Sequence, residues 1–252
     1  MVKKIWGNLY IVLNLFLLVS CDTFNSNSTR ELLYVGDGEV IAPSNERYMR
    51  NSEADIIKLN NGTLLLAYTK FLGYKDHHKA FITGKKSFDN GQTWSSEFIL
   101  QENIGKLNTM SPSFVRIDSS LIGHFFIVKN SSQDSQIFFS KSKDEGNSWS
   151  TPEKLTQKKG YHILNNDRAL RLNSGRVLIP VASTTDIDSS YGKQVISIYF
   201  SDDKGRSWEH TNTVVQFENG PAMEPGIAQA QDGSLIMIIR TQFGKIYFFK
   251  KL

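Results

Sequence analysis

At 252 residues the chain is long enough to bury a full core, as one domain or two small ones. Its 40% apolar, 12% aromatic and 21% charged residues exclude an intrinsically disordered protein. A formal net charge of +4 excludes the strongly basic character of a nucleic-acid or polyanion binder.

Residues 1–20 stand apart. "MVKK" is a basic start, and "IVLNLFLLV" is an apolar run interrupted only by Asn14. The run is too short to span a bilayer and has the layout of a secretory signal peptide. Leu18-Val19-Ser20-Cys21 resembles the bacterial lipobox, in which the cysteine is lipidated and becomes the mature N-terminus. Cys21 is the sole cysteine, so disulfides and thiol chemistry are not expected. Residues 21–47 form a polar, turn-rich tether and lead-in to the domain, with 48–252 left for the fold. Without residues 1–20 the chain has 27 basic and 25 acidic residues, a net +2. The expected location is the bacterial cell envelope, periplasmic or on the outer surface, with a lipid as the contact to the membrane.

Beyond the tether the sequence repeats. "SEADIIKLNNGTLLLAY" (52–68), "MSPSFVRIDSSLIGHFF" (110–126), "NNDRALRLNSGRVLIPV" (165–181) and "MEPGIAQAQDGSLIMII" (223–239) share one pattern. Each has a polar start, an apolar run, a tight turn and a second apolar run, which is a hairpin signature. Their turn positions 62, 120, 175 and 233 are spaced 58, 55 and 58 apart. After three of the hairpins comes another apolar run ("AFITGKKS", "QIFFSKS", "VISIYFS"), then the octapeptide Ser-x-Asp-x-Gly-x-x-Trp: "SFDNGQTW", "SKDEGNSW", "SDDKGRSW". The octapeptide aspartates Asp89, Asp144 and Asp203 keep nearly the same period. No segment carries a capped 3.6-residue pattern.

A four-stranded antiparallel unit recurring every 55–59 residues predicts an all-β protein of β-propeller blades. A β-sandwich is the competing architecture, but it does not require the octapeptide to recur in register. Within the octapeptide, Asp can accept backbone N–H bonds across a turn, Gly supplies positive φ, and Trp packs into the sheet. Three copies of one device are therefore expected to be scaffold, not active site.

These octapeptides resemble the Asp-boxes of the sialidase (neuraminidase) superfamily, and with the hairpins they cover about residues 48–252. The order of "MSPSFVRI", "NNDRALRL" and "MEPGIAQAQDGSLIMIIRTQFG" resembles the bacterial BNR-type exo-α-sialidase-like proteins. The resemblance implies a six-bladed propeller. About three and a half blades are expected here, because the chain ends within "KIYFFKKL", ahead of a fourth box. It also implies terminal sialic acid or a related acidic sugar on glycans as substrate, and no cofactor. The family's tyrosine nucleophile and third arginine belong to the last blades, so this chain on its own is expected to be a poor catalyst.

Counting back nine from each turn gives Glu53, Ser111, Asn166 and Glu224, polar in every repeat and expected to ring the channel mouth. A solvated strand end would be polar too. By resemblance Glu224 is the glutamate that activates the nucleophile, and Arg240, sixteen residues on, grips the substrate carboxylate. Asp76 in "GYKDHHKAF" resembles the acid/base aspartate, though a solvated loop aspartate reads the same way. Arg50 resembles the family's first arginine, but here "Arg-Asn-Ser" replaces Arg-Ile-Pro and lies two residues too far from Gly62. Arg168 is the alternative inward-pointing cation. The five histidines show no metal-ligand spacing, so no metal is expected. Two other functions fit the sequence: a non-catalytic glycan-binding lipoprotein, and a glycosidase or lyase on another acidic sugar.

Overall fold

The computed structural model describes residues 38–184, 194–212, 214–218 and 220–251. The signal sequence, Cys21 and the tether up to residue 37 lie outside the described residues. From Val40 on, the chain is one compact unit, and no helix occurs among the described residues.

The first blade is an antiparallel sheet of β1 (Arg50–Lys58), β2 (Leu64–Phe71), β3 (Ala80–Ser87) and β4 (Phe98–Gln101), in that order. The second runs β5 (Asn108–Asp118), β6 (Leu121–Lys129), β7 (Ser135–Ser142) and β8 (Glu153–Lys154). The third contains β9 (Tyr161–Ile163), β10 (Leu170–Arg171), β11 (Val177–Thr184), β12 (Val195–Ser201) and β13 (Glu209–His210). A single parallel pair, Ser135 with Tyr161, joins the second and third blades. The fourth shows β14 (Ala222–Gln229), β15 (Leu235–Thr241) and β16 (Ile246–Lys251).

The core lies between successive blades. Leu65, Ile82, Phe114 and Phe126 fill the space between the first two, and Phe125, Phe139, Ile179 and Tyr199 that between the second and third. Ala182, Ile196, Ala222 and Ile239 join the third to the fourth. Each fully buried large side chain contributes about 1.5–3 kcal/mol. A central strand is covered on both faces, so β6 and β11 are buried along nearly their whole length without alternation.

All three octapeptides adopt one geometry. Asp144 accepts from the Ser142 hydroxyl (2.9 Å), the Ser148 amide (2.9 Å) and the Ser148 hydroxyl (2.5 Å). Asp89 and Asp203 repeat these bonds with Ser87 and Thr93, and with Ser201 and Ser207. Gly91, Gly146 and Gly205 have φ of 90°, 72° and 74°, and the residue before each is also left-handed. Trp149 stacks on Phe114, and Trp208 meets Phe125 and Phe139 edge-on.

The third blade departs from the expected single inner strand. β9 and β10 both pair with β11, and residues 164–169 between them leave the ladder. Neighbouring blades take up the freed groups. The amides of Arg168 and Ala169 donate to Ser113 Oγ (2.8 Å each), and Asn166 Nδ2 donates to the Ala54 carbonyl (2.7 Å).

Candidate functional site

Each blade turns one residue into the left-handed region near the cavity end, Glu53 (φ 56°), Ser111 (58°) and Glu224 (46°) on inner strands and Asp167 (53°) in the segment between β9 and β10. These positions are 58, 56 and 57 residues apart. In three blades the ladder slips there by one residue, between Ser52 and Asp55, Met110 and Ser113, and Met223 and Gly226. Such a bulge re-aims a side chain, and strained non-glycine residues of this kind concentrate at functional sites.

A cavity of about 520 Å³ opens at this end, lined by residues of all four blades. Glu53, Ser111 and Glu224 line it, as do Asp76, Lys129, Tyr161 and Arg240. Glu53 accepts from Ser111 Oγ (2.9 Å) and Thr69 Oγ1 (3.2 Å), and Thr69 Oγ1 accepts from the Ser111 amide (2.9 Å). Burial raises the Glu53 pKa above the usual carboxylate value; the Ser111 bond opposes this and the charge of Asp76 adds to it.

Two arginine–carboxylate pairs are formed. Arg240 Nη1 lies 2.6 Å from Glu224 Oε1, across the β14–β15 hairpin. Arg50 Nη2 lies 2.6 Å from Asp76 Oδ1, while its Nη1 donates to the Tyr74 carbonyl (3.0 Å) and its guanidinium stacks 3.8 Å over Phe71. The loop bearing Asp76 is held from the second blade. Asn108, fully buried, donates to the Asp76 and His78 carbonyls (2.8 Å each), and Lys129 Nζ donates to the Asp76 carbonyl (3.2 Å).

The structure thus brings together Glu53, Asp76, Glu224 and Arg240, with Arg50 reaching the group through Asp76. Two expected residues stand elsewhere. The left-handed residue of the third blade is Asp167, and Asn165 is its side chain on the cavity, because residues 164–169 loop away from the ladder. Asn166 is therefore spent on the first blade. Arg168 is absent from the described lining; its Nη1 donates to the Asp167 carbonyl (3.1 Å), and its Nε would lie 3.7 Å from a side chain placed at Gly226.

Sequence reasoning missed Lys129 and Asn108, and set Tyr161 aside because it does not lie where the family's nucleophile falls. A signal for one was present: Lys129 ends the apolar run of β6 as Arg240 ends that of β15. Asn108 and Tyr161 look like ordinary strand-edge residues until the blades are assembled.

A family model described as a BNR repeat-like domain matches residues 107–249. A Hadza microbial sialidase superposes with a TM-score of 0.69 at 17% identity, over 81% of this chain and 45% of its own. The intramolecular trans-sialidase of Ruminococcus gnavus, in complex with oseltamivir carboxylate, gives 0.67 at 13% identity, over 82% and 69%. A protein of unknown function from Dyadobacter fermentans DSM 18053 gives 0.72 at 18% identity, over 84% and 68%. The chain therefore spans less than half the length of the Hadza sialidase it matches.

Proposed function

We propose, for a chain that belongs to the family of BNR repeat-like domains and is built of sialidase-type β-propeller blades, an exo-sialidase-like glycoside hydrolase releasing terminal sialic acid or a related acidic sugar from glycans. The observation that carries this reading is the sharing of one cavity by Glu224, Arg240 and Asp76. An acidic sugar brings a carboxylate that competes with Glu224 for the planar fork of Arg240. Binding then frees the Glu224 carboxylate to accept a proton from the attacking group. As the attacking group bonds to the anomeric carbon and the glycosidic bond breaks, Asp76 is the group that hands a proton to the leaving oxygen.

Binding without turnover is the second reading, favoured by the tyrosine in the cavity. Tyr161 lies under the Lys129 ammonium, 5.4 Å from the ring centre, and among the described residues Glu224 is bonded to Arg240 and not to a phenol. The resemblance to a lipobox supports export and attachment through Cys21, which would hold the cavity among envelope or environmental glycans.

A fluorogenic sialoside separates the readings. Turnover that falls by about 10²–10⁴-fold in Glu224→Gln supports the hydrolase. No turnover by the wild type, with acidic glycans still retained on an array, supports the binding protein. Incorporation of a fatty-acid label by the wild type that persists in Cys21→Ala would refute the anchor.

A further inference from the structure

We propose that Lys129, which among the described residues has no carboxylate partner, binds an anionic group of the ligand in the cavity, so that it sets the preference for acidic over neutral sugars. This rests on the reading above that a sugar occupies the cavity, and adds to it a residue outside the arginine–carboxylate pairs.

Lys129 closes β6, where it pairs with Asn108 of β5 and Ser135 of β7, so its backbone is fixed from both sides. The residue is only 3% exposed, yet it lines the cavity. Its ammonium has three N–H donors. One goes to the Asp76 carbonyl at 3.2 Å, and the Tyr161 ring lies 5.4 Å away. Neither partner carries a formal charge. Among the described residues, no carboxylate lies within 4.0 Å of it.

The contrast with the two arginines decides the assignment. Arg240 and Arg50 each hold a carboxylate at 2.6 Å, so a ligand must displace Glu224 or Asp76 to use them. Among the described residues, Lys129 offers its charge without a competing carboxylate. A buried ammonium facing only a carbonyl and a ring is costly to keep, and an incoming anion removes that cost. The aromatic ring and the fixed strand end hold the charge in place beforehand, which favours binding.

The test uses the whole chain and calorimetric titration with N-acetylneuraminate, glucuronate, acetate and neutral N-acetylmannosamine. Lys129→Met should weaken the three anions by about tenfold or more and the neutral sugar by less than about twofold. Lys129→Arg should retain the preference for anions. Asn108→Ser loosens the same loop without removing charge, and should weaken acidic and neutral sugars alike. Lys129→Gln takes the place of Lys129→Met if the latter lacks a melting transition. Unchanged anion affinity in the charge-removing variant overturns the assignment. Acetate bound through Lys129 with neither acidic sugar bound leaves the assignment standing and removes the sugar reading. A wild type that binds no anion overturns both.

Discussion

Asp144 shows how one carboxylate can hold a turn while lying open to solvent. Its oxygens take two hydroxyls and one amide, and the Ser142 hydroxyl that donates to it accepts in turn from the Gly146 amide (2.8 Å). The bonds from Ser148, first the hydroxyl and then the amide, hold the Asp144 pKa down at about 2. A depressed carboxylate stabilises the fold above its unfolded pKa, and the contribution fades as pH falls through the folded value. Asp144→Asn should therefore lower Tm at pH 7, and the difference from wild type should shrink as pH falls from about 4 towards 2. Ligand affinity per folded molecule should stay as in the wild type, since the box does not line the cavity among the described residues. Loss of binding with an unchanged melting curve would make the box a site. At this scale the octapeptide was legible, because its chemistry is local. Lys129 was not, because a lysine at a strand end looks solvated until Tyr161 and the Asp76 loop close over it.

Two buried groups, one in each of the first two blades, oppose each other in pH dependence. His124 on β6 is packed against Phe114, Phe126 and Trp149, and burial pushes its pKa down to about 3. Asp55 on β1 accepts the Phe114 amide of β5 (2.5 Å), and burial pushes its pKa up to about 7. For His124 the unfolded chain binds the extra proton, so stability falls as pH drops below about 6.5. For Asp55 the folded chain binds it, so stability is full below about 3.9 and is lost as pH rises towards 7. Between pH 4.5 and 6 the two slopes cancel, each near about 1.4 kcal/mol per pH unit. Urea unfolding should be nearly flat there for the wild type, rise with pH in Asp55→Asn and fall with pH in His124→Phe. Parallel slopes in the two variants would refute the opposition. Turn residues at fixed offsets made the hairpins legible in sequence. The broken inner strand of the third blade was hidden, because Ser113 and Ala54, which satisfy it, lie on other blades.

The first three blades are stitched together at both ends. On the box side, Glu145 accepts from the Asn60 amide of the first blade (2.8 Å) and from Arg116 of the second (2.8 Å), and Lys204 pairs with Asp118 (2.9 Å). On the cavity side, Asp55 holds Phe114, Asn108 holds the Asp76 loop, and Ser113 holds residues 168 and 169. Among the described residues the fourth blade is tied by fewer groups, the Ala222 amide to the Gln194 carbonyl (3.0 Å) and the Asn173 amide to Gln229 Oε1 (2.9 Å), over a smaller cluster. Its outer strand β16 leaves Ile246 and Phe248 exposed. Local opening is easiest where buried contacts are few. Hydrogen exchange should therefore be slowest in β6 and β11 and markedly faster in β14 to β16. The cavity spans this divide, with Asp76 and Lys129 on the stiff side and Glu224 and Arg240 on the looser one. An acidic sugar touching both sides ties the fourth blade down, so N-acetylneuraminate should slow exchange in β15 far more than in β6. Equal exchange in β15 and β6 without sugar would remove the divide, and no slowing of β15 with sugar would show that the sugar does not hold the fourth blade.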